Sequence, residues 1–512
     1  MNASSPAATP PRDAAVATRD AAPWARRLAI ALLLLGAAVR LRQYLGCPSY
    51  WYDEAYLLLN VFERSYGDLL GALDYNLVIP PGFLWISRAV YEAFGGGELS
   101  MRLPAVASSL AALVLMVPLA RRFVGSWAWI GPVALVALSK HAVMHADEVR
   151  PYSTDLFVVE GLLLAACLCL SGEPSSRARK GGFAGLLVGA AVGPWLSFPS
   201  VFVLGGVSLA LLCDAIRLRR LADWSRWSVF NAGVLLSVSA LWYFDARHLY
   251  YGGLREHWEG WQGFPPGESL AAAAAWCLDR LPHIAQYATT DMGWPLVLLG
   301  GWGAAALRRR STALAAAVTA PLALAMLAAL LRRYPISDRT IFFAAPCVWL
   351  LAAAGLADLT RRLPAQFQWV RLAAVGILIA PGLPATAKSL AAVESKSGYR
   401  EAFAYVHERW RPGDSLWVLH PEVYQVYFGR DRRPMGYDTP PEIVEERARA
   451  GRLWTVTVPE HPRVVFCPEL FASLRSEAYV SPDKHPVDGL EAVLYIPAKP
   501  AIIASQPTPL RR

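Results

Sequence analysis

Residues 28–56 read LAIALLLLGAAVRLRQYLGCPSYWYDEAY, a stretch that joins a long apolar run to a pair of acidic residues. The run over 28–45 is long enough for a membrane-spanning helix. Directly beyond it, Asp53 and Glu54 lie among aromatic residues. Adjacent carboxylates at a membrane surface are costly unless they serve a function. The stretch therefore predicts a membrane protein with a polar site beyond its first span.

The composition extends this prediction to the whole chain. Of the 512 residues, 55% are hydrophobic and 17% are charged, and apolar runs recur from Leu28 to about Thr386. Such runs predict a polytopic α-helical membrane protein. The net charge of +9 comes from basic clusters between the runs. That pattern is typical of membrane topology and not of a nucleic-acid-binding surface.

The basic clusters define a topology if all of them face the cytoplasm. They lie at Arg26-Arg27, Arg121-Arg122, Arg177/Arg179/Lys180, Arg217/Arg219/Arg220, Arg308-Arg309-Arg310 and Arg361-Arg362. An even number of crossings must then separate neighbouring clusters, which predicts about eleven spans, with the N-terminus inside and the C-terminus outside. The predicted spans are 28–45, 101–120, 126–144, 152–171, 183–198, 199–216, 228–246, 292–307, 312–331, 340–358 and 369–386.

One apolar segment, 80–94, is predicted to lie on the outer surface and not to cross. It is short for a crossing, at about 15 residues, and it contains Arg88 and Glu92. Counting it as a span would also place Arg121-Arg122 outside. We expect an interfacial helix here, beside a second amphipathic stretch from Tyr56 to about Leu73.

Hydropathy divides the chain into four parts. These are a disordered cytoplasmic tail (1–25), a membrane module (26–386) with an external loop at 46–100, an external soluble α/β domain (387–498), and a disordered tail (499–512). In the soluble domain the sequence predicts a helix over 399–410, a turn at 412–414, and strands at 416–419, 453–458 and 492–496.

The acidic pair Asp53-Glu54 has two interpretations. Carboxylates at a helix N-terminus are stabilised by the helix dipole, so the pair could simply begin the interfacial helix. Aromatic surroundings and a neighbouring like charge also raise the pKa of a carboxyl group, which suits a general base.

A second polar constellation lies between two predicted spans, where residues 141–152 read HAVMHADEVRPY. His141 and His145 are spaced i, i+4 and can face one side of a helix, with Asp147 nearby. Such a set could ligate a divalent metal, although the ligand set is incomplete and the spacing is common.

The third constellation, RRYPISDR over 332–339, breaks the charge rule because the topology places it outside. Its arginines could be snorkelling at a helix end, or the topology could be wrong by one span. Guanidinium groups also bind phosphate oxygens in a bidentate manner, so Arg332, Arg333 and Arg339 could hold a phosphate, with Arg40 and Arg42 contributing. The sequence has neither a P-loop nor a dinucleotide-binding fingerprint. A nucleotide-free, lipid-linked phosphate would fit that absence.

With these motifs in order, the chain resembles the GT-C superfamily of membrane glycosyltransferases. Within it, the chain is similar to the branch of protein O-mannosyltransferases and lipid A aminoarabinose transferases (glycosyltransferase family 39 and relatives). The resemblance covers about residues 26–360. The matching residues are Val39-Arg40-Leu41, Trp51-Tyr52-Asp53-Glu54-Ala55-Tyr56, Pro80-Pro81-Gly82-Phe83-Leu84, Arg102-Leu103-Pro104, Asp147-Glu148-Val149-Arg150-Pro151-Tyr152, and Arg333-Tyr334-Pro335 with Arg339.

The resemblance implies transfer of a sugar from a polyprenyl-phosphate donor to a hydroxyl acceptor, with inversion at the anomeric carbon. It implies that Asp53 is the catalytic base, supported by Glu54, and that Glu148, Arg150 and Tyr152 belong to an external loop that completes the site. The segment with Arg332, Arg333, Tyr334 and Arg339 would bind the donor phosphate. Many relatives have Lys or His before the Pro-Pro pair, where this chain has Ile79, and Asp147 is an additional acid beside Glu148.

The sequence thus predicts a multi-pass glycosyltransferase of the bacterial inner membrane, with its active site and soluble domain on the periplasmic side. Its partners would be the lipid-linked donor, a lipid, glycan or protein acceptor, and membrane lipids, with no nucleic acid and no cofactor beyond a candidate metal ion. A transporter or flippase of lipid-linked glycans is the main alternative. It is less favoured because the charges gather at one face and no internal repeat is evident. A ligase or phosphotransferase acting on the same carriers is a second alternative.

Overall fold

The computed structural model describes residues 23–171, 176–248, 252–267, 269–289, 291–361, 363–364, 367–458, 468–474 and 479–498. These residues fall into two compact units. The first lies within 1–42, 79–83 and 104–391, and the second within 43–78, 84–103 and 392–512. The two predicted disordered tails lie outside the described residues, apart from 23–25, which begin the first helix.

Helices make up most of the described chain. The α-helices are α1 (Pro23–Leu45), α2 (Tyr52–Glu63), α3 (Pro81–Phe94), α4 (Glu98–Val124), α5 (Ile130–Leu138), α6 (Lys140–Met144), α7 (Tyr152–Ser171), α8 (Arg177–Leu196), α9 (Ser200–Leu218), α10 (Leu221–Phe244), α11 (Gly252–Gly260), α12 (Leu270–Thr289), α13 (Trp294–Arg310), α14 (Thr312–Leu330), α15 (Ala345–Thr360), α16 (Gln368–Ile379), α17 (Leu383–Ala391), α18 (Tyr399–Glu408), α19 (Pro421–Phe428), α20 (Pro441–Ala450) and α21 (Pro468–Leu474). The strands are β1 (Ser415–Val418), β2 (Leu453–Thr457), β3 (Tyr479–Val487) and β4 (Leu490–Pro497). Short 3-10 helices lie at Asp74–Asn76, Trp127–Trp129, His145–Asp147, Ala246–His248, Arg339–Ala344, Ala380–Gly382 and Arg430–Arg432.

Among the described residues, seven helices are long and apolar enough to cross a membrane, and nine if each of two bent pairs is one span. All eleven predicted spans fall on helices. Two of them, 183–198 and 292–307, are not among the nine, and they account for the difference between eleven and nine. The first lies on α8, which begins with Arg177, Arg179 and Lys180. The second lies on α13, which has 17 residues and ends in three arginines. The count of eleven stays a prediction.

Helices α13 and α15 of the first unit pack through glycine. A Cβ atom on Gly303 would collide with the backbone carbonyl of Leu351, and one on Gly355 would collide with that of Leu299. Small residues let membrane helices approach closely enough for backbone contact. The two glycines therefore allow backbone contact between α13 and α15.

The second unit contains a four-stranded sheet with the order β1-β2-β4-β3. β1 and β2 are parallel, while β4 is antiparallel to both β2 and β3. Leu416 and Val418 face one buried cluster with α18 and α19, whereas Trp417 and Leu419 face another with α20 and α21. The side-chain period of two therefore places helices on both faces of the sheet.

The structure confirms the predicted small C-terminal sheet and the predicted helices at its start and in the external loop. Three details differ. The amphipathic stretch predicted over 56–73 is helical only as far as Glu63, because the chain then turns through Gly67 and Gly71. Helices α11 and α12 lie between the predicted spans 228–246 and 292–307, where no helix was predicted. β3 was not predicted, since its sequence YVSPDKHPV contains two prolines and no clear alternation.

Candidate active site

Glu54 lies in the first turn of α2 and forms a buried ion pair. The Arg102 guanidinium donates to both carboxylate oxygens, Nε to Oε1 at 3.1 Å and Nη2 to Oε2 at 2.9 Å. Only 2% of the Glu54 side chain and 3% of the Arg102 side chain are exposed. The backbone N–H of Trp51 also donates to Glu54 Oε2, at 3.2 Å. Glu54 thus stabilises the first turn of α2 and anchors the helix to Arg102. This agrees with the interpretation of the acidic pair as a helix start.

Arg102 extends this anchor to the preceding loop. Its Nη1 donates to the Pro48 carbonyl at 2.6 Å and its Nη2 to the Ser49 carbonyl at 3.3 Å. The guanidinium also lies over the Tyr50 ring, 5.3 Å from its centre. One cation therefore fixes the loop that enters α2, and with it the position of the neighbouring Asp53.

Asp53 occupies a different side of α2 from Glu54. Consecutive helical residues are rotated by about 100°, so Asp53 lies closer to the Tyr52–Tyr56 face than to the Glu54 face. Tyr52 and Tyr56 contact His420, with Tyr52 stacked on the imidazole at 4.3 Å. Asp53 is itself buried, with 8% exposed. The geometry separates the two acids, since Glu54 is paired with Arg102 and Asp53 is buried on another side of the helix.

The first unit holds the second acidic constellation. Glu148 Oε2 lies 2.8 Å from His145 Nδ1, and His145 Nε2 lies 2.9 Å from the Tyr287 hydroxyl. This chain of hydrogen bonds joins the loop before α7 to α12. Burial raises the pKa of Tyr287, and the negative charge of Glu148 adds to this effect, so the hydroxyl is protonated and can donate.

The two histidines that were predicted as metal ligands, His141 and His145, make hydrogen bonds and ring contacts within the protein. Both His145 nitrogens have the partners just described, and His141 Nδ1 lies 2.8 Å from the Tyr287 backbone carbonyl. The His141 ring also stacks on Tyr287 at 3.8 Å. Asp147 is buried beside them. In the part of the chain that the structure describes, no three His, Cys, Asp or Glu side chains are grouped so that they could hold a metal ion.

The arginine segment is held to the loop after α11. Arg332 has a positive φ of 55° and donates to Glu259 at 2.6 Å and to the Pro265 carbonyl at 3.1 Å. Arg333 is exposed and Arg339 is half-buried. The Tyr334 hydroxyl donates to the Thr340 carbonyl, and its ring packs on Phe202.

Arg339 belongs to the same neighbourhood as Glu148. Its positive charge counteracts the rise in the pKa of Tyr287, and Phe342, in the same 3-10 helix, packs 5.0 Å from the His145 ring. Tyr152 packs on the other side of His145, at 4.6 Å, and Arg150 is buried in the same loop. The first unit thus brings together the second and third constellations of the sequence.

Arg40, predicted to bind the donor, is in a setting that favours a structural role. It is fully buried, and it donates to Ser109 Oγ and to the backbone carbonyls of Gly36, Val136 and Ala137. Arg42 donates to the carbonyls of Leu390 and Ala391. Both contribute hydrogen bonds between helices of the kind that membrane segments require.

The Pro80-Pro81-Gly82 motif serves close packing in the first unit. A Cβ atom on Gly82 would lie 2.8 Å from the backbone carbonyl of Trp195, too near for any larger residue without a shift. The glycine therefore lets the start of α3 lie against the end of α8. Ile79, at the position before the prolines, is buried.

Sequence reasoning gave no role to three residues that the structure places in these networks. Arg102 appeared only as part of a motif, and Tyr287 and His420 were not singled out. A buried arginine near the start of an apolar helix, such as Arg102 in α4, is the one signal that was available. Tyr287 and His420 lie 142 and 364 residues from their partners, which no local pattern reveals.

The sequence matches no protein-family model and no curated protein. The structure is similar to that of ArnT from Cupriavidus metallidurans in the apo state, with 14% identity and a TM-score of 0.53 over 90% of this chain and 97% of ArnT. ArnT bound to undecaprenyl phosphate gives 15% identity and a TM-score of 0.50 over 93% and 98% of the two chains. The Archaeoglobus fulgidus oligosaccharyltransferase in the apo form gives 12% and 0.50, over 84% of this chain and 69% of that protein.

At these identities the similarity establishes the fold. The chain has a GT-C-like fold, shared with ArnT and with the Archaeoglobus fulgidus oligosaccharyltransferase, and carries a small C-terminal sheet. The resemblance seen in the sequence motifs is confirmed at this level.

Proposed function

We propose that the protein is a membrane glycosyltransferase that moves a sugar from a polyprenyl-phosphate donor to a hydroxyl group of its acceptor. The observation that carries the proposal is the GT-C-like fold extending over nine-tenths of the chain. A structure of the structural relative ArnT contains bound undecaprenyl phosphate, which is the carrier part of a donor of the class that the motifs imply. The long apolar helices of the first unit suit such a lipid.

In the proposed reaction, Asp53 takes the proton of the acceptor hydroxyl while the hydroxyl oxygen attacks the anomeric carbon. The bond between that carbon and the phosphate oxygen breaks, and polyprenyl phosphate leaves with the bonding electron pair. Attack opposite to the leaving group inverts the anomeric configuration. The buried position of Asp53 supports this role, since a base excluded from bulk water is held in one geometry.

The leaving phosphate already carries its charge, so it needs cations more than a strong acid. We assign this role to the segment of Arg332, Arg333, Tyr334 and Arg339, in which Arg339 lies within electrostatic range of Tyr287. We also propose that Glu148, Arg150 and Tyr152 take part in donor binding and transfer. We further propose that the site faces the periplasm and that the protein resides in the bacterial inner membrane, with a lipid, glycan or protein as acceptor.

The proposal can be tested against the transporter alternative in proteoliposomes. The probes are undecaprenyl-phosphate-linked hexoses and aminoarabinose, with a total membrane lipid extract as acceptor. A transferase consumes one of these donors and releases free undecaprenyl phosphate, which mass spectrometry detects. A transporter would move the donor across the bilayer chemically unchanged, and that result would refute the transferase.

Arg339→Gln is expected to raise the KM for the donor by about 10- to 100-fold, since a hydrogen bond from a cation to a charged oxygen contributes about 1.5–3 kcal/mol. The matched control is Arg308→Gln, on the exposed arginine cluster that ends α13. Initial rates at varied donor concentration measure both variants. An unchanged KM in Arg339→Gln would indicate that this arginine only snorkels at a helix end.

A further inference from the structure

The second unit contains a polar and aromatic cluster that the proposed chemistry does not use. We call it the Glu422 cluster, and it consists of Tyr56, Tyr75, His420, Glu422, Arg433 and Tyr437. Its members come from the external loop and from the C-terminal domain, which belong to the same compact unit.

Glu422 is the group that most requires explanation. The residue is 1% exposed, and its Oε2 atom has no hydrogen-bond partner among the described residues. Its Oε1 accepts a long hydrogen bond from Arg433 Nη2 at 3.4 Å, so the carboxyl group is directed toward the cluster. A buried carboxyl oxygen without a donor costs free energy unless something supplies one. Burial also raises the pKa of Glu422.

Aromatic rings make up most of the rest of the Glu422 cluster. Tyr75 stacks on Tyr56 at 4.6 Å, and His420 lies 6.3 Å from the Tyr437 ring. Tyr437 is 38% exposed and Tyr75 is half-buried, so a ligand could reach both. Burial raises the pKa of Tyr75 to about 12, and the negative charge of Glu422 contributes, which places the two groups within electrostatic range.

The backbone at Tyr75 is held in an unusual conformation. Tyr75 and Asn76 have φ angles of 64° and 52°, in the left-handed region that residues with a Cβ rarely adopt. Such backbone conformations persist where the surrounding structure requires them, and they concentrate at functional sites. Here the conformation presents the Tyr75 ring to Tyr56 and to the cluster.

The charge of the cluster does not suit a phosphate. Its one arginine, Arg433, is shared between Glu422 and Asp438, whose Oδ2 accepts from Nη2 at 2.7 Å. Exposed rings with an unsatisfied carboxyl oxygen suit a saccharide instead, because a sugar offers apolar C–H faces for stacking and hydroxyl groups for donation. A single sugar ring can therefore make both the stacking contact and the hydrogen bond.

We propose that the Glu422 cluster binds a saccharide unit of the acceptor, with a sugar hydroxyl donating to Glu422 and the sugar face stacking on Tyr437 or Tyr75. The assignment of this saccharide to the acceptor rests on the proposed transferase function. It gives the C-terminal domain a role in acceptor recognition. The Tyr52–Tyr56 face of α2, beside Asp53, adjoins the same cluster through His420.

The test is a binding titration on the full-length protein in nanodiscs by saturation-transfer-difference NMR. The probes are the methyl glycosides of glucose, galactose, mannose and N-acetylglucosamine. At least one should bind the wild type, and Glu422→Gln and Tyr437→Ala should each raise its Kd at least fivefold. Tyr437→Phe, which keeps the ring, should stay within twofold of the wild type.

Glu446→Gln, on the exposed face of α20, is the matched control and should leave the Kd unchanged. Asp53→Asn should also retain binding, because binding requires no catalytic base. If none of the glycosides binds, or if Glu422→Gln and Tyr437→Ala bind as the wild type does, the subsite is wrong. Because the readout is binding alone, Glu422-dependent binding in a protein that transfers no sugar would refute the transferase and retain the subsite.

Discussion

Asp53→Asn is expected to lower kcat for sugar transfer by about 100- to 10,000-fold, the range that removal of a general base produces. The amide cannot accept the acceptor proton, while its size and its place in the first turn of α2 are unchanged. Transfer is measured as product formed in proteoliposomes at saturating donor. Expression, membrane insertion and thermal stability should equal those of the wild type.

The matched control for this variant is Asp68→Asn, an exposed carboxylate in the same segment, 43–78. Its side chain bonds only locally, to Ser65. We expect wild-type activity from it. Full activity in Asp53→Asn would show that Asp53 is not the catalytic base. The interpretation of the acidic pair as a helix start would then stand.

Arg102→Met is expected to destabilise the second unit by about 3–5 kcal/mol, because it leaves the Glu54 carboxylate buried without its partner. The loop at 48–50 also loses two hydrogen bonds to backbone carbonyls. Thermal unfolding in detergent, followed by tryptophan fluorescence, measures the change. Hydrogen exchange should rise first at residues 48–54.

Two further variants distinguish the loss of the buried Arg102–Glu54 ion pair from a general effect of removing a charge. Arg449→Met removes a surface ion pair with Glu445 and should cost about 0.3–0.5 kcal/mol. The double variant Arg102→Met/Glu54→Leu should recover part of the stability lost by Arg102→Met, since it leaves no unpaired charge. Equal stabilities of Arg102→Met and Arg449→Met would contradict the anchoring role.

The membrane helices could be predicted because a spanning segment must satisfy its backbone hydrogen bonds internally. A long apolar run therefore has few alternatives to a helix, and each predicted span lies on a helix or on one of the two bent helix pairs. The C-terminal domain was less predictable. Its strands β1, β2 and β4 are short apolar runs between turns, whereas β3 is defined by its pairing with β4 and the helices α19 to α21 by packing on the sheet.

The candidate site was predicted as three constellations but not as a set of contacts. The local sequence around Asp53 and Glu54 cannot distinguish two adjacent acids, and their difference comes from Arg102, 48 residues away. In the same way, the i, i+4 spacing of His141 and His145 suits a metal, yet it is equally compatible with the hydrogen bonds that join His145 to Glu148 and Tyr287 in the structure. Long-range partners decide the role of a polar residue, and a single sequence does not name them.

The central claim is transfer of a sugar from polyprenyl phosphate, and the yield of carrier per sugar tests it most directly. With a sugar-labelled undecaprenyl-phosphate donor, mass spectrometry measures the free undecaprenyl phosphate released by the wild type and the sugar incorporated into the acceptor. We predict one undecaprenyl phosphate for each sugar transferred, and neither product from Asp53→Asn above background. Transfer of the sugar together with its phosphate, or consumption of the donor without release of the carrier, would contradict the account.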